Sequence, residues 1–149
     1  KTAAVVSIAI ACLSVKCYCA EHPEHPKSKP KPAGLTKEQL ADAIEAYIKK
    51  GADANGNFLI TDEKTGEKLQ MKLVQVHRER LSKVAPDEYF ACVDFKSTEG
   101  KMYDVDFFMK GTAKDNLTFS EFMIHKVDGK PRYTWYEEKG IWKRKPVAE

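Results

Sequence analysis

Along residues 89–109, YFACVDFKSTEGKMYDVDFFM, apolar side chains fall on every second position. Tyr89, Ala91, Val93 and Phe95 form one such row, and Tyr103, Val105, Phe107 and Met109 form a second. Alternation of this kind marks half-buried strands, because successive side chains of a strand point to opposite faces. Thr98-Glu99-Gly100 between the rows predicts a three-residue hairpin loop. Gly100 would take the left-handed conformation that a Cβ disfavours. That loop sets Val93 opposite Val105 and Phe95 opposite Tyr103, so the apolar faces coincide. A two-residue loop would put Phe95 against Asp104 and mix the faces.

The period changes upstream. Leu40, Ala43, Ile44, Tyr47 and Ile48 recur at helical spacing and predict one amphipathic helix over residues 36–50. Thr36 and Gln39 form a capping box at its start, with Leu35 placed to pack on Leu40. Lys49 and Lys50 suit its negative end, and Gly51 stops it. Asp53, Asn55 and Asn57 follow in a loop. A calcium loop would need Gly where Phe58 stands and Glu where Lys64 stands, so turn chemistry is the expectation. Everything after Phe58 reads as antiparallel strand. Phe58-Leu59-Ile60 returns through Glu63–Gly66 into Leu69 and Met71. The apolar phase then slips after Leu73, and slips again between Phe119 and Phe122, which predicts two β-bulges. Asp128-Gly129 predicts a two-residue hairpin turn, setting Phe122 against Trp135 and Ile124 against Tyr133. Lys139-Gly140 turns into a last strand from Ile141 to Lys143.

The predicted fold class is α+β: one N-terminal helix packed on a curved antiparallel meander sheet. This element order, over roughly residues 35–145, resembles the cystatin-like fold that cystatins share with nuclear-transport-factor-2-like domains. Cystatins inhibit cysteine proteases through an N-terminal Gly, a Gln-x-Val-x-Gly hairpin loop and a Pro-Trp loop. Gly34 would stand for the first. Gln75-Val76-His77-Arg78-Glu79 has neither the Val nor the closing Gly of the second, and Trp135 and Trp142 are not preceded by Pro. The resemblance therefore implies the fold and not the inhibition. Enzymes of the nuclear-transport-factor-2-like group line a pocket with an Asp and an aromatic. By that resemblance Asp104 with Tyr103 or Tyr136 would be nominated, although one helix is little with which to close such a pocket.

Composition adds the ends of the chain. Thr2 to Val15 is a small and apolar run between Lys1 and Lys16, short for a membrane span and suited to a secretory leader. Cys17 and Cys19 supply the small residues wanted before a cleavage at Ala20. Residues 1–19 are thus expected to be a signal peptide, 20–34 a Pro-rich linker and 35–149 a single domain. Lipoprotein processing at Cys12, after Ala9-Ile10-Ala11, is the alternative. The expected location is periplasmic or secreted, with no transmembrane span after processing. Cleavage would leave Cys92 alone, as a small buried hydrophobe. The formal net charge of +3 includes Lys1 and Lys16, which leaves +1 for residues 20–149 and no electrostatic case for nucleic acid.

Candidate chemistry is sparse. Asp94, Asp104 and Asp106 share the second face of the central hairpin, with Asp94 directly opposite Asp104. Like charges so placed repel, and either neighbouring basic residues neutralise them or they serve as a general base or a cation site. Arg78, Arg80 and Arg132 could gather into an anion patch. Tyr133, Trp135, Tyr136 and Trp142 are candidate interface anchors. His22 and His25 lie on the Pro-rich linker, far in sequence from His77 and His125. No zinc spacing, glycine-rich phosphate loop or Ser/His/Asp order is present, so no metal, cofactor or catalytic residue is expected. The expected function is an exported, non-catalytic accessory module that meets a protein partner in the cell envelope or extracellular space through its sheet face or C-terminal aromatics. The alternative is a small enzyme or a ligand or cation binder using the Asp94/Asp104/Asp106 cluster.

Overall fold

The computed structural model describes residues 34–79 and 82–147. The expected leader, most of the linker, Cys12, His22, His25 and Arg80 lie outside the described residues. Helix α1 (Lys37–Gly51) opens on the Thr36–Gln39 capping box. Leu40, Ile44 and Ile48 are fully buried along its stripe; each contributes roughly 1.5–3 kcal/mol by leaving water. Gly51 is the last helical residue and not a left-handed cap: Ala52 follows in extended conformation. Gly51 is small because Phe58 packs against it, and a Cβ there would come within 2.6 Å of the ring.

The helix packs on a strongly curled antiparallel sheet. Its strands are β1 (Asn57–Thr61), β2 (Lys68–Val76), β3 (Ser82–Ala85), β4 (Glu88–Ser97), β5 (Met102–Lys110), β6 (Thr118–Val127) and β7 (Lys130–Pro131). The order is β1-β2-β4-β5-β6-β7, with β3 continuing the edge of β4 where β2 ends. The central hairpin has the predicted register: Val93 faces Val105, Phe95 faces Tyr103, Asp94 faces Asp104 and Cys92 faces Asp106. Ser97 bonds Lys101 across the loop, and Gly100 takes φ +90. Both predicted bulges are present, at Val74 and at Ser120. The inner face, toward α1, carries Ala91, Val93, Phe95, Tyr103, Val105, Phe107, Met109 and Ile124 in one core with Leu40, Ile44, Phe58 and Met71. No helix among the described residues is long and apolar enough to cross a membrane.

The C-terminal strands depart from the prediction. The Asp128-Gly129 turn forms, but pairing stops after Lys126 with Pro131. Strand β8 (Tyr133–Glu138) then leaves the sheet and pairs only with β9 (Ile141–Pro146), which runs past the predicted end at Lys143. Phe122 does not pair with Trp135, nor Ile124 with Tyr133. One further backbone bond, from the Arg132 N–H to the His125 carbonyl at 2.8 Å, follows before the chain turns away, and Phe122 faces Phe107 on the inner core instead. The β8–β9 hairpin folds over the sheet's outer face. There Trp135 stacks on Phe90 with ring centroids 4.2 Å apart. Tyr133, Phe90 and Phe108 are buried beside it, with Arg144 over the Phe108, Tyr133 and Trp135 rings.

Candidate functional site

The outer face of β4, β5 and β6 changes character along its length. At one end it is aromatic, with Phe90 and Phe108. Toward the other it carries Cys92, Asp94, Asp104 and Asp106. The C-terminal hairpin covers this transition, so the acidic residues are not a solvated face. Asp106 is fully buried. Its Oδ2 accepts from the Tyr133 hydroxyl at 2.7 Å and the Trp135 indole N–H at 2.8 Å, and its Oδ1 accepts from the Cys92 thiol at 2.9 Å. Burial, and then the Asp106 charge, pushes both the Cys92 thiol and the Tyr133 hydroxyl well up, so each stays a proton donor.

A third bulge builds the rest of the site. Between the pairs Asp104–Lys126 and Val105–Ile124, His125 is the extra residue. A bulge places two consecutive side chains on one face, and here His125 and Lys126 both meet Asp104. Lys126 Nζ bonds Asp104 Oδ2 at 3.0 Å. His125 Nδ1 lies 3.6 Å from the same oxygen and 3.9 Å from Asp106 Oδ2, beyond ordinary hydrogen-bond reach. Burial raises the Asp104 carboxyl, but His125 and Lys126 beside it outweigh burial and leave it below the ordinary value. Lys126 is raised in turn, chiefly by its bond to Asp104.

These residues line a cavity of about 570 Å3 between sheet and hairpin, within the usual size range of small-ligand sites. Cys92, Asp104, His125 and Lys126 form its floor, Phe90, Trp135 and Trp142 its apolar walls, and His77 stands at one side.

The predicted site residues separate in space. Asp104 and Asp106 share the cluster. Asp94, though opposite Asp104, pairs with His77 Nε2 at 3.1 Å. Among the described residues Lys126 is the cation that meets Asp104 on this face, and Arg78 and Arg132 are not. Arg78 instead binds Asp42 and Glu45 of α1, and Arg132 binds Asp62 through two nitrogens, at 2.7 and 2.6 Å. Arg78 and Arg132 thus belong to separate ion pairs. Of the aromatics, Tyr133 is buried and Trp135 and Trp142 half-buried against the sheet, while Tyr136 is 46% exposed. The functional residues missed from sequence are His125, Lys126 and Cys92. The step of three from Ile124 to Val127, like the one from Phe119 to Phe122, was the available signal for the His125 bulge.

No protein-family model, curated protein or solved structure matches the chain.

Proposed function

We propose that this chain is an exported, non-catalytic binding module that takes a small ligand beneath its C-terminal hairpin. The observation that carries the proposal is the cavity floored by Asp104, His125 and Lys126 and walled by Trp135, Trp142 and Phe90. An apolar or planar body fits between the aromatic walls, and a hydrogen-bond donor or cationic group fits at Asp104. Recognition of a protein partner through the C-terminal aromatics is the weaker proposal, because Tyr133 and Trp135 are bonded to Asp106 and packed on the sheet. Export rests on the N-terminal run and its flanking lysines. A cystatin-like assignment rests on the single capped helix ahead of the meander.

Native mass spectrometry of the protein isolated from its host's envelope fraction tests the proposal. A small organic added mass, larger than that of a metal ion, that Asp104→Asn loses is the expected result. A bare protein, or a partner protein held equally by wild type and variant, overturns it.

A further inference from the structure

Cys92, Asp104, Asp106 and His125 bring four potential metal-binding atoms within 4.8 Å of one another. The set mixes a thiol, an imidazole and two carboxylates, and comes from three adjacent strands. Its hydrogen bonding is incomplete. Among the described residues three buried side-chain polar atoms lack a hydrogen-bond partner, and two of them, Asp104 Oδ1 and His125 Nδ1, are here.

The imidazole decides what is missing. His125 is only 8% exposed. Its Nε2 lies 3.1 Å from the Tyr133 carbonyl oxygen, which can only accept. Nε2 must therefore carry a proton, and in the neutral ring Nδ1 presents a lone pair. That lone pair faces the oxygens of Asp104 and Asp106, acceptor against acceptors. Two occupants answer such an arrangement, a proton on Nδ1 or a metal ion. A proton would serve Nδ1, at distances of 3.6 and 3.9 Å from the oxygens, and would leave Asp104 Oδ1 without a partner. A metal ion serves Nδ1, and with the Asp104 carboxylate as a ligand it offers a partner to Oδ1 as well.

We propose that Cys92 Sγ, Asp104, Asp106 and His125 Nδ1 bind a divalent cation of the zinc class at the floor of the cavity. The donor types select the class: thiolate and imidazole suit zinc and its neighbours, whereas calcium and magnesium require oxygen donors throughout. Zinc holds such ligands at about 2.0–2.3 Å, so binding draws the four atoms inwards. The surroundings of the ligands are already arranged. The Tyr133 carbonyl fixes the ring of His125 in the tautomer a metal needs. Tyr133 and Trp135 hold Asp106 Oδ2 and leave Oδ1 toward Cys92. Partners of this kind orient the ligands of metal sites.

The charges also close. On binding, the Cys92 S–H bond breaks, its proton leaves to solvent, and the cation takes its place between Sγ and Asp106 Oδ1. No oxidation state changes. Two carboxylates and a thiolate then oppose the divalent ion and Lys126, and the buried cluster is neutral. Asp94 stays outside the set, engaged with His77. The site rests on the ligand-binding reading of the cavity for its access, because Cys92, Asp104 and His125 line that cavity and Asp106 does not.

The test is a cobalt titration of the full chain carrying Cys12→Ser, Cys17→Ser and Cys19→Ser, so that Cys92 is its only thiol. One Co2+ per chain is expected, with a thiolate-to-cobalt charge-transfer band that Zn2+ abolishes on displacement. Zn2+ should also raise Tm, and a chelator should reverse the rise. Asp94→Asn should keep the band, whereas Cys92→Ala and His125→Ala should lose it while remaining folded by circular dichroism. If either Ala variant fails to fold, the band in the protein with all four ligands intact decides between the outcomes. Absence of the charge-transfer band in that protein overturns the site, as does a Zn2+-dependent rise in Tm that survives in Cys92→Ala. Absence of the band while native mass spectrometry still finds a small organic ligand sinks the metal site and spares the ligand-binding proposal. A band present without any such ligand does the reverse.

Discussion

Asp106 gathers hydrogen bonds from the Tyr133 hydroxyl, the Trp135 indole and the Cys92 thiol, all at no solvent exposure of its own. Removing it strands three donors, and a buried polar group left without a partner costs about 1–3 kcal/mol. Asp106→Ala is therefore expected to lose about 3 kcal/mol or more. Tyr133→Phe, which leaves Asp106 Oδ2 with Trp135, should lose about 1 kcal/mol. Urea unfolding of both variants checks the order. A smaller loss for Asp106→Ala than for Tyr133→Phe would mean that the carboxylate does not hold the hairpin down. At this scale the sequence was only half informative. Asp106 facing Cys92 followed from the hairpin register, but alternation alone shows which residues share a face. It cannot say whether that face meets water or a second layer of protein.

Local elements were the most legible part of the chain, because each is specified by residues close to one another. The capping box and apolar stripe of α1, the Gly100 loop and the Asp128-Gly129 turn all act over a few residues. The path of β8 was not legible. Pairing Phe122 with Trp135 satisfies alternation as well as the observed course does. What decides against it is the set of distant partners on the sheet's outer face, Asp106, Phe90 and Phe108. Arg132, at the point of departure, ties this segment to the β1–β2 turn through its two bonds to Asp62. The Arg132 guanidinium beside it holds the Asp62 carboxyl at about 2, against an ordinary value of 3.8. A folded-state value below the unfolded one means stabilisation that is complete above 3.8 and is lost as pH falls through about 2. Arg132→Ala leaves the buried Asp62 carboxylate without its Arg132 cation, with the Lys64 and Thr65 N–H groups still donating to it, and should cost about 3 kcal/mol at neutral pH. Its deficit against wild type should narrow as pH falls from 3.8 towards 2. Denaturant unfolding across that range checks the sign, and a constant deficit would show that the pair does not set Asp62.

At the scale of the molecule, the described residues form two apolar layers of unequal strength on one sheet. The inner layer joins α1 to five strands and contains the largest fully buried side chains, Phe95, Phe107, Leu40 and Ile44. The outer layer is the β8–β9 hairpin, whose backbone bonds only to itself and to a few flanking groups. It is held by the Phe90–Trp135 stack, the Asp106 bonds and the Arg132 tie. Aromatic pairs contribute about 0.5–1.5 kcal/mol beyond their buried area, so this attachment is worth less than the core beneath it. Parts held by fewer contacts open at lower free energy than the whole. Thr134, Trp135 and Trp142 of the hairpin also line the cavity, so on the ligand-binding proposal its opening would admit the ligand. Native-state hydrogen exchange should then give smaller opening free energies for amides of Tyr133–Glu138 and Ile141–Pro146 than for those of Glu88–Ser97 and Met102–Lys110. Trp135→Ala should lower the first set by about 1 kcal/mol or more and leave the second nearly unchanged. Equal opening energies in both sets, falling together in Trp135→Ala, would show instead a single cooperative unit, with a ligand admitted only by global unfolding.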